Sequence, residues 1–199
     1  MPFARSKHLL TDEASLYEYA VGALGRRMRT VAELKRLLRN KVEDSEHGRL
    51  LIEVVIAKLK DQKYLNDTQY ASSYSSLRKD NNRFGRRRVI QELKQRGVHD
   101  DIIDKTVSAT YADTNEEQLA RDYLRRKRLK EPTNEKETAR IFRALIRAGF
   151  GTKTIFTVLK KWNVDDEVLA ALETETAEAA CGTDEDVGPK TTAAARDDE

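Results

Sequence analysis

The sequence is poor in the residues that build disulfide-stabilised, turn-rich or membrane-spanning proteins. It has one cysteine, Cys181, in 199 residues, which excludes an intramolecular disulfide and favours a reducing compartment. Three prolines and nine glycines are too few for a fibrous or loop-dominated chain. No apolar run approaches the length of a membrane span, and the N-terminus lacks the apolar core of a signal peptide. We therefore expect a soluble, cytoplasmic protein.

Charged residues are abundant but unevenly distributed. They make up 36% of the chain, and the formal net charge is +3. Residues 173–199 contain nine acidic and two basic residues, a net charge of −7, so residues 1–172 carry +10. This last segment also lacks aromatic residues, and it cannot bury enough apolar surface to offset the entropy of ordering. We expect a strongly basic body followed by a disordered acidic tail.

Apolar residues recur at helical spacing along the whole body, and nine helices are predicted. The clearest helix, the third, has apolar residues at i, i+3, i+4 and i+7, namely Ile52, Val55, Ile56 and Leu59. Thr30 with Glu33, and Thr114 with Glu117, predict capping boxes that start helices two and seven. The fourth helix is expected to bury a strip that consists of Tyr70, Ala71, Tyr74 and Leu77.

The helices repeat in groups of three. Leu34, Val89 and Ile141 are spaced 55 and 52 residues apart, and Gly97 and Gly149, 52 apart, lie where a second helix should end. The predicted fold is therefore all-α, an elongated array of three tandem three-helix repeats, each with a small core. The predicted boundaries are 1–65 for the first repeat, 66–112 for the second, 113–172 for the third and 173–199 for the tail.

Basic residues concentrate at the turn between the first and second helix of each repeat. The candidate binding residues are Arg26, Arg27, Arg29, Lys35 and Arg36 in the first repeat, Arg83, Arg86, Arg87, Arg88, Lys94 and Arg96 in the second, and Arg125, Arg126, Lys127 and Arg128 in the third. If the repeats stack in register, these residues form one basic stripe that attracts phosphate or an acidic protein. Any single cluster is better explained as a solvated helix face, but the threefold recurrence at equivalent positions favours a functional surface.

Other candidate sites are weak. His8, His47 and His99 lie in scattered loops without metal-ligand spacing, and Cys181 has no fixed base beside it. The acidic pair Asp100-Asp101 is explained as helix capping. No phosphate-binding glycine loop or nucleophile motif is present. We therefore expect neither an enzyme nor a cofactor.

The central segment resembles the RecX family. The resemblance is carried by Tyr64–Asp67, Tyr70-Ala71, Gly85–Arg88, Glu92–Lys94 and Arg96–Val98, and it extends over roughly residues 14 to 165. It implies tandem three-helix repeats and a non-enzymatic modulator, in the first place an inhibitor, of the RecA recombinase. The implied partners are RecA and the RecA–single-stranded DNA filament, with weaker direct binding to DNA and none to membranes, and the protein is expected to be a monomer.

Matching the family motif residue by residue implies functional positions in two repeats. In the first repeat these are Arg27 and Arg29 before Thr30, followed by Glu33 and Leu34; in the second they are Gly85 to Arg88 and Arg96-Gly97. The chain departs from the family pattern at Val42, where a glycine is usual, and in its acidic tail.

Two other functions remain open at this point. The chain could be an autonomous DNA-binding helical repeat protein that does not require RecA, or a scaffold that binds only proteins. Binding to phosphates predicts a strong salt dependence, and a pure protein scaffold predicts almost none. We further hypothesise that the acidic tail competes with nucleic acid for the basic stripe.

Overall fold

The structure, a computed structural model, describes residues 9–181. The described residues contain no strand; their ten α-helices are α1 Glu13–Arg26, α2 Val31–Arg39, α3 Glu46–Asp61, α4 Asp67–Asn82, α5 Arg86–Gln95, α6 Asp100–Tyr111, α7 Glu116–Arg126, α8 Glu135–Ala148, α9 Thr152–Lys160 and α10 Asp166–Cys181. The predicted all-α class is confirmed. The sequence predicts Leu169 and Leu172 as a last turn of helix nine, whereas they lie on the separate helix α10.

Helix α10 continues past residue 172, where the sequence predicts the disordered tail to begin. Leu169 and Leu172 are buried against the core, with 0% and 8% of their surface exposed, and α10 packs on α8 and α9. Arg143 on α8 also contacts Glu175 at 3.1 Å. The burial of Leu169 and Leu172 stabilises α10, and composition alone does not reveal it. The rest of the predicted tail, residues 182–199, lies outside the described residues.

Side-chain caps determine where several helices begin. Thr30 accepts the backbone N–H of Glu33 at 3.0 Å and so caps α2, as predicted. The Glu33 carboxylate does not complete the capping box, because it accepts a hydrogen bond from Arg96 at 2.7 Å. The box predicted at Thr114 is wrong: Asn115 is the N-cap of α7, since an asparagine side chain caps better than threonine.

The helices pack in three consecutive groups. We call α1–α3 the first repeat, α4–α6 the second repeat, and α7–α9 with the added α10 the third repeat; the extensive helix–helix contacts all lie within these groups. The predicted array of three-helix repeats is therefore confirmed. The predicted boundaries at residues 65 and 112 fall in the connections between α3 and α4 and between α6 and α7, and we retain them as a proposal.

The hydrophobic core differs from the prediction of one small core per repeat. The first repeat has a core of its own, but the buried residues of the second and third repeats form one continuous cluster. An aromatic contact joins these two repeats: the ring centroid of Tyr123 lies 6.3 Å from that of Phe84, and Tyr123 also packs on Phe150 of its own repeat, with the ring centroids 6.1 Å apart. The second and third repeats therefore share one core, because Phe84 lies in the turn between α4 and α5 and packs outward from its own repeat.

The first and second repeats meet mainly through polar contacts. The Thr30 hydroxyl donates to the carbonyl of Arg96 at 2.7 Å, and the backbone N–H of Val31 donates to Asp67 at 2.9 Å. Gly97, with φ +76°, lies against Ala32 so closely that a Cβ atom would come within 2.5 Å of the alanine methyl. Glycine is required here both by the left-handed backbone and by this contact.

The second and third repeats meet in a similar way. Gly85 donates its N–H to the carbonyl of Ala148 at 2.8 Å, and Arg87 donates its N–H to the carbonyl of Gly149 at 3.2 Å. In both junctions the start of one repeat's second helix meets the end of the next repeat's second helix. At the second junction, unpaired N–H groups at the start of α5 satisfy unpaired carbonyls at the end of α8, and at the first junction the side chains of Thr30 and Asp67 supply the corresponding hydrogen bonds.

Candidate basic binding surface

The fifteen basic residues predicted to bind a partner fall into two groups. One group is held by contacts within the chain: Arg29, Lys35, Arg86, Arg88, Lys94 and Arg96. The other group has no side-chain hydrogen bond or ion pair within residues 9–181: Arg26, Arg27, Arg36, Arg83, Arg87, Arg126, Lys127 and Arg128. Arg125 is intermediate, with a single 3.5 Å ion pair to Asp122 and 78% of its side chain exposed.

Two lysines of the first group form surface ion pairs. Lys35 on α2 contacts Glu53 on α3 at 2.7 Å, and Lys94 on α5 contacts Asp100 on α6 at 2.9 Å. The Asp100 carboxylate raises the pKa of Lys94 through its hydrogen bond and its charge. Each pair neutralises a charge that the sequence assigns to the basic stripe, and each ties two helices of one repeat together.

Arg96 connects the first and second repeats. Its guanidinium donates to Glu33 at 2.7 Å and lies 4.8 Å from the ring centroid of Tyr74. Its carbonyl accepts from Thr30 at the same junction. Most of its side chain is covered, with 32% exposed. The structure therefore gives this residue a role in holding two repeats together.

Arg88 connects the second and third repeats in a comparable way. It contacts Glu92, one helical turn later, at 3.1 Å and donates to the carbonyl of Arg147 on α8 at 2.9 Å. Its guanidinium lies 4.0 Å from the ring centroid of Phe84, in cation–π geometry. The carbonyl of Arg147 belongs to the last turn of α8, so Arg88 also compensates the negative end of that helix dipole.

Glu92 is the acceptor at the centre of this polar cluster. It accepts a hydrogen bond from the Tyr74 hydroxyl at 2.7 Å. It also forms an ion pair with Arg78 at 2.9 Å, but the Arg78 Nε–H does not point along this contact and makes no hydrogen bond. Burial acts to raise its pKa, but the hydrogen bonds from Tyr74 and Arg88 and the charges of both arginines outweigh burial, so the pKa of Glu92 is lowered. This role of Glu92 was not predicted from the sequence, where its one local signal is the four-residue spacing of Arg88 and Glu92.

All members of the unpaired group except the half-buried Arg83 are exposed, and part of the group lies near the second junction. Arg83 follows α4 with φ +57° and has no side-chain partner among the described residues, and Arg87 lies in the first turn of α5. Arg83 lines a surface depression of about 350 Å³ together with Asp122, Arg125 and Arg126 at the end of α7. The structure therefore brings together basic residues from the α4–α5 turn and the α7–α8 turn.

The first repeat's turn is positioned differently. Arg26 and Arg27 are exposed beside Met28, which is 54% exposed, while Arg29 donates to the carbonyl of Ala23 at 3.4 Å. The first repeat meets the second through the start of α2 and the end of α5, not through the α4–α5 turn. The contacts thus show a joined basic surface for the second and third repeats.

Other sequence expectations can be compared with the structure directly. Tyr70 is buried and stacks on Tyr74 with ring centroids 5.8 Å apart, which confirms the core assignment of Tyr70. Leu77 is 52% exposed, so its predicted burial is wrong, because the buried side of α4 consists of Tyr70, Ala71 and Ser75. In residues 9–181 there is no group of three or more metal-binding side chains. None of the helices in that range is long and apolar enough to cross a bilayer.

Comparison with known proteins identifies the family. Residues 66–107 match the family profile described as RecX, second three-helix domain. The regulatory protein RecX of Deinococcus radiodurans is 33% identical over 158 residues, which cover 79% of this chain and 72% of that protein. The regulatory protein RecX of Bacillus velezensis is 31% identical over 163 residues, 81% of this chain, and the chain spans 60% of its length.

Two solved structures share the fold. A crystal structure of regulatory protein RecX superposes with a TM-score of 0.62 at 20% identity, over 75% of this chain and 71% of that chain. RecX from Lactobacillus salivarius superposes with a TM-score of 0.60 at 22% identity, over 76% and 96% of the two chains. On the similarity to the Deinococcus and Bacillus proteins, together with this shared fold, the chain belongs to the RecX family of regulatory proteins.

Proposed function

We propose that this chain is a non-enzymatic cytoplasmic regulator that binds RecA and the RecA–single-stranded DNA filament and restrains RecA activity. The observation that carries the proposal is the convergence of arginines from two repeats at one junction, where the unpaired Arg83 and Arg126 and the weakly paired Arg125 line one depression. Surface cations that have no carboxylate partner among the described residues are available to an external anion. The family membership makes the RecA filament the anionic assembly to test.

The unpaired residues are suited to phosphate contacts. Arginine presents a planar fork of donors that matches a phosphate group, and it stays charged at any physiological pH. Arg83 lies in the α4–α5 turn, Arg87 on α5 and Arg126 at the end of α7, so together they can follow a backbone rather than bind one isolated ion. Binding through such contacts weakens with added salt, because each neutralised phosphate releases counterions.

The α1–α2 turn is suited to a protein contact. Met28 is an exposed apolar side chain that is flanked by the exposed Arg26 and Arg27. Methionine and arginine are both enriched at protein–protein interfaces. In this proposal the first repeat contacts RecA protein, and the junction of the second and third repeats contacts DNA phosphates.

The ion-paired residues have a different role in this proposal. Lys35, Arg88, Lys94 and Arg96 hold helices and repeats in place through Glu53, Glu92, Asp100 and Glu33. Replacing them should reduce stability first and partner binding only as a consequence. The proposed contact residues are therefore the unpaired set, not all fifteen predicted positions.

RecA-dependent ATP hydrolysis and strand exchange test the proposal. Wild-type protein should lower both rates, and the double variant Arg87→Ala with Arg126→Ala should need about tenfold more protein for the same effect, since two charged contacts are lost. The matched control, Lys60→Ala with Lys105→Ala, removes the same charge from exposed positions on α3 and α6. Unchanged rates with stoichiometric wild-type protein would eliminate the proposed function.

The second candidate is a DNA-binding protein that acts without RecA. The arginine-lined depression favours it as well, because phosphates attract these residues whether or not RecA is present. Affinity for bare single strands, compared with affinity for RecA-coated strands at the same salt concentration, separates the two functions. Tighter binding to the coated strand supports a RecA regulator, and equal or weaker binding supports the autonomous DNA-binding protein.

A further inference from the structure

A second depression lies beside the arginine-lined one and contains the single tryptophan of the chain. Arg83, Asp122, Arg125 and Arg126 line the first, which we call the arginine depression. The second, of about 290 Å³, is the tryptophan depression, lined by Arg121, Leu124, Arg125, Leu129, Val158, Lys161 and Trp162. Arg125 borders both, so the two are continuous along the end of α7.

The two depressions differ in chemistry. Glu117 contacts both Arg121 and Lys161, so this one carboxylate offsets one of their two charges. The rest of the lining of the tryptophan depression, apart from Arg125, is apolar and aromatic, and Trp162 is partly exposed. The arginine depression has three cations and one carboxylate, and that carboxylate is the weak 3.5 Å partner of Arg125. A cationic compartment thus adjoins an aromatic one, with Arg125 at the boundary.

We infer that the two adjoining depressions bind single-stranded nucleic acid, with backbone phosphates at Arg83, Arg125 and Arg126 and an unstacked base against Trp162. This assignment rests on the proposed function and specifies which surface contacts the nucleic acid. Proteins that bind single strands without sequence preference combine a positively charged groove with aromatic side chains on which bases stack. A duplex does not offer a free base face to Trp162, so the site selects unpaired strands.

An acidic protein segment is the competing ligand for a basic surface. Its carboxylates would use the arginines, but they gain nothing from the partly exposed indole and its apolar neighbours, Leu124, Leu129 and Val158. A nucleotide uses both compartments, because it carries a phosphate and a base on one short unit. The adjacency of the two compartments therefore favours a single-stranded nucleic acid over an acidic peptide.

The first experiment uses the intrinsic fluorescence of Trp162, the one tryptophan in the chain. The full chain is titrated with a short oligothymidylate at low salt, and stacking of a base on the indole should quench its emission. The same titration is repeated with a matched abasic strand, which retains the phosphates and lacks the bases. Quenching by the oligothymidylate but not by the abasic strand is expected; equal quenching by both, or by polyglutamate, would overturn the inference.

The second experiment compares variants by fluorescence anisotropy of labelled strands. Trp162→Ala should weaken binding of oligothymidylate by about 5- to 150-fold, the range for loss of one stacked base, and should change abasic-strand binding by less than about twofold. A variant that weakens both strands equally would show that Trp162 acts only through folding. Trp162→Phe preserves an aromatic ring and should retain most of the affinity; circular dichroism of both variants checks that they are folded.

Replacing the arginines should change the salt dependence of strand binding. Arg125→Ala with Arg126→Ala should lower the log–log salt slope by up to about 1.4 for both strands, since each phosphate contact on a single strand contributes about 0.7. Lys105→Ala, on the exposed side of α6, should leave the slope unchanged. An unchanged slope for the double arginine variant would contradict the phosphate assignment.

The two proposals fail separately. If wild-type protein inhibits RecA but oligothymidylate binding does not depend on Trp162, Arg125 or Arg126, the site assignment is wrong and the proposed function stands. If those strand-binding results are as expected but RecA activity is unchanged, the proposed function is wrong.

Discussion

Replacing Glu92 should destabilise the joined second and third repeats more than any exposed carboxylate does. Its side chain is only 18% exposed, and it binds the Tyr74 hydroxyl at 2.7 Å, Arg78 at 2.9 Å and Arg88 at 3.1 Å. The hydrogen bonds that Glu92 accepts from Tyr74 and Arg88 contribute about 1.5–3 kcal/mol each, since they involve a charged group, and they do not add fully. Arg78 and Arg88 are 27% and 36% exposed and partly regain hydration when the carboxylate is lost.

These numbers bracket the expected effect. Glu92→Ala should lower the free energy of unfolding by about 2–4 kcal/mol. Breaking a fully buried ion pair costs about 3–5 kcal/mol, and the loss is smaller here because the two arginines reach water. Glu92→Gln retains an acceptor for Tyr74 and loses only the charge, so about 1–3 kcal/mol is expected. The control is Glu53→Gln. Glu53 pairs with Lys35 at 2.7 Å, and the Glu53 side chain is 59% exposed, so this pair should contribute less than about 1 kcal/mol to stability.

Urea unfolding, followed by far-UV circular dichroism and by the fluorescence of Trp162, measures these values. Trp162 packs against the core that the second and third repeats share, so its transition reports the affected region. Losses below about 0.5 kcal/mol for both Glu92 variants, the range of ordinary surface substitutions, would refute the reasoning.

The lowered pKa of Glu92 also gives this stabilisation a pH dependence. The stabilisation is fully present above the unfolded-state pKa of the carboxylate and is lost as the pH falls through the lower folded-state pKa. The stability difference between wild type and Glu92→Gln should therefore shrink on acidification. A difference that stays constant from neutral to strongly acidic pH would contradict the ion-pair assignment.

Three further predictions follow from the junctions and the tail. Gly149→Ala should lower the folding stability by at least about 2 kcal/mol, because φ is +89° and the added Cβ would lie 2.3 Å from a backbone nitrogen of α5. Gly22→Ala, at an open position inside α1, should raise the folding stability by about 0.5–1 kcal/mol. Thermal unfolding measures both changes. Asp67 accepts the Val31 N–H, and burial raises the pKa of its carboxyl group, so the charged form is disfavoured in the fold. Asp67→Asn should therefore leave the stability unchanged or increase it at neutral pH, and any gain should disappear as the pH falls below the folded-state pKa. Asp67→Ala removes the acceptor and should cost about 1–3 kcal/mol of folding stability. Deleting residues 182–199, which carry six acidic and two basic residues, should tighten binding to single-stranded DNA at low salt, and an unchanged dissociation constant would reject the competing-tail hypothesis.

Local features of the fold could be predicted from the sequence because they depend on neighbours within a few residues. Helical periodicity predicted the helices of each repeat, and the left-handed ends at Gly97 and Gly149 have the positive φ that glycine tolerates best. The spacing of Leu34 and Val89, both fully buried, predicted the repeat. The errors in local assignment have local causes, as at Thr114, where the adjacent Asn115 is the stronger cap.

Which charges are free was decided by the tertiary structure. Arg87 and Arg88 are adjacent and identical in the sequence, yet Arg88 is held by Glu92, Phe84 and a carbonyl of α8, while Arg87 has no side-chain partner among the described residues. The sequence alone determined an all-α repeat protein with a basic body, since composition and periodicity are properties of the chain itself. The fold decided which cations are neutralised and which adjoin Trp162, because ion pairs and depressions form between helices that are distant in sequence.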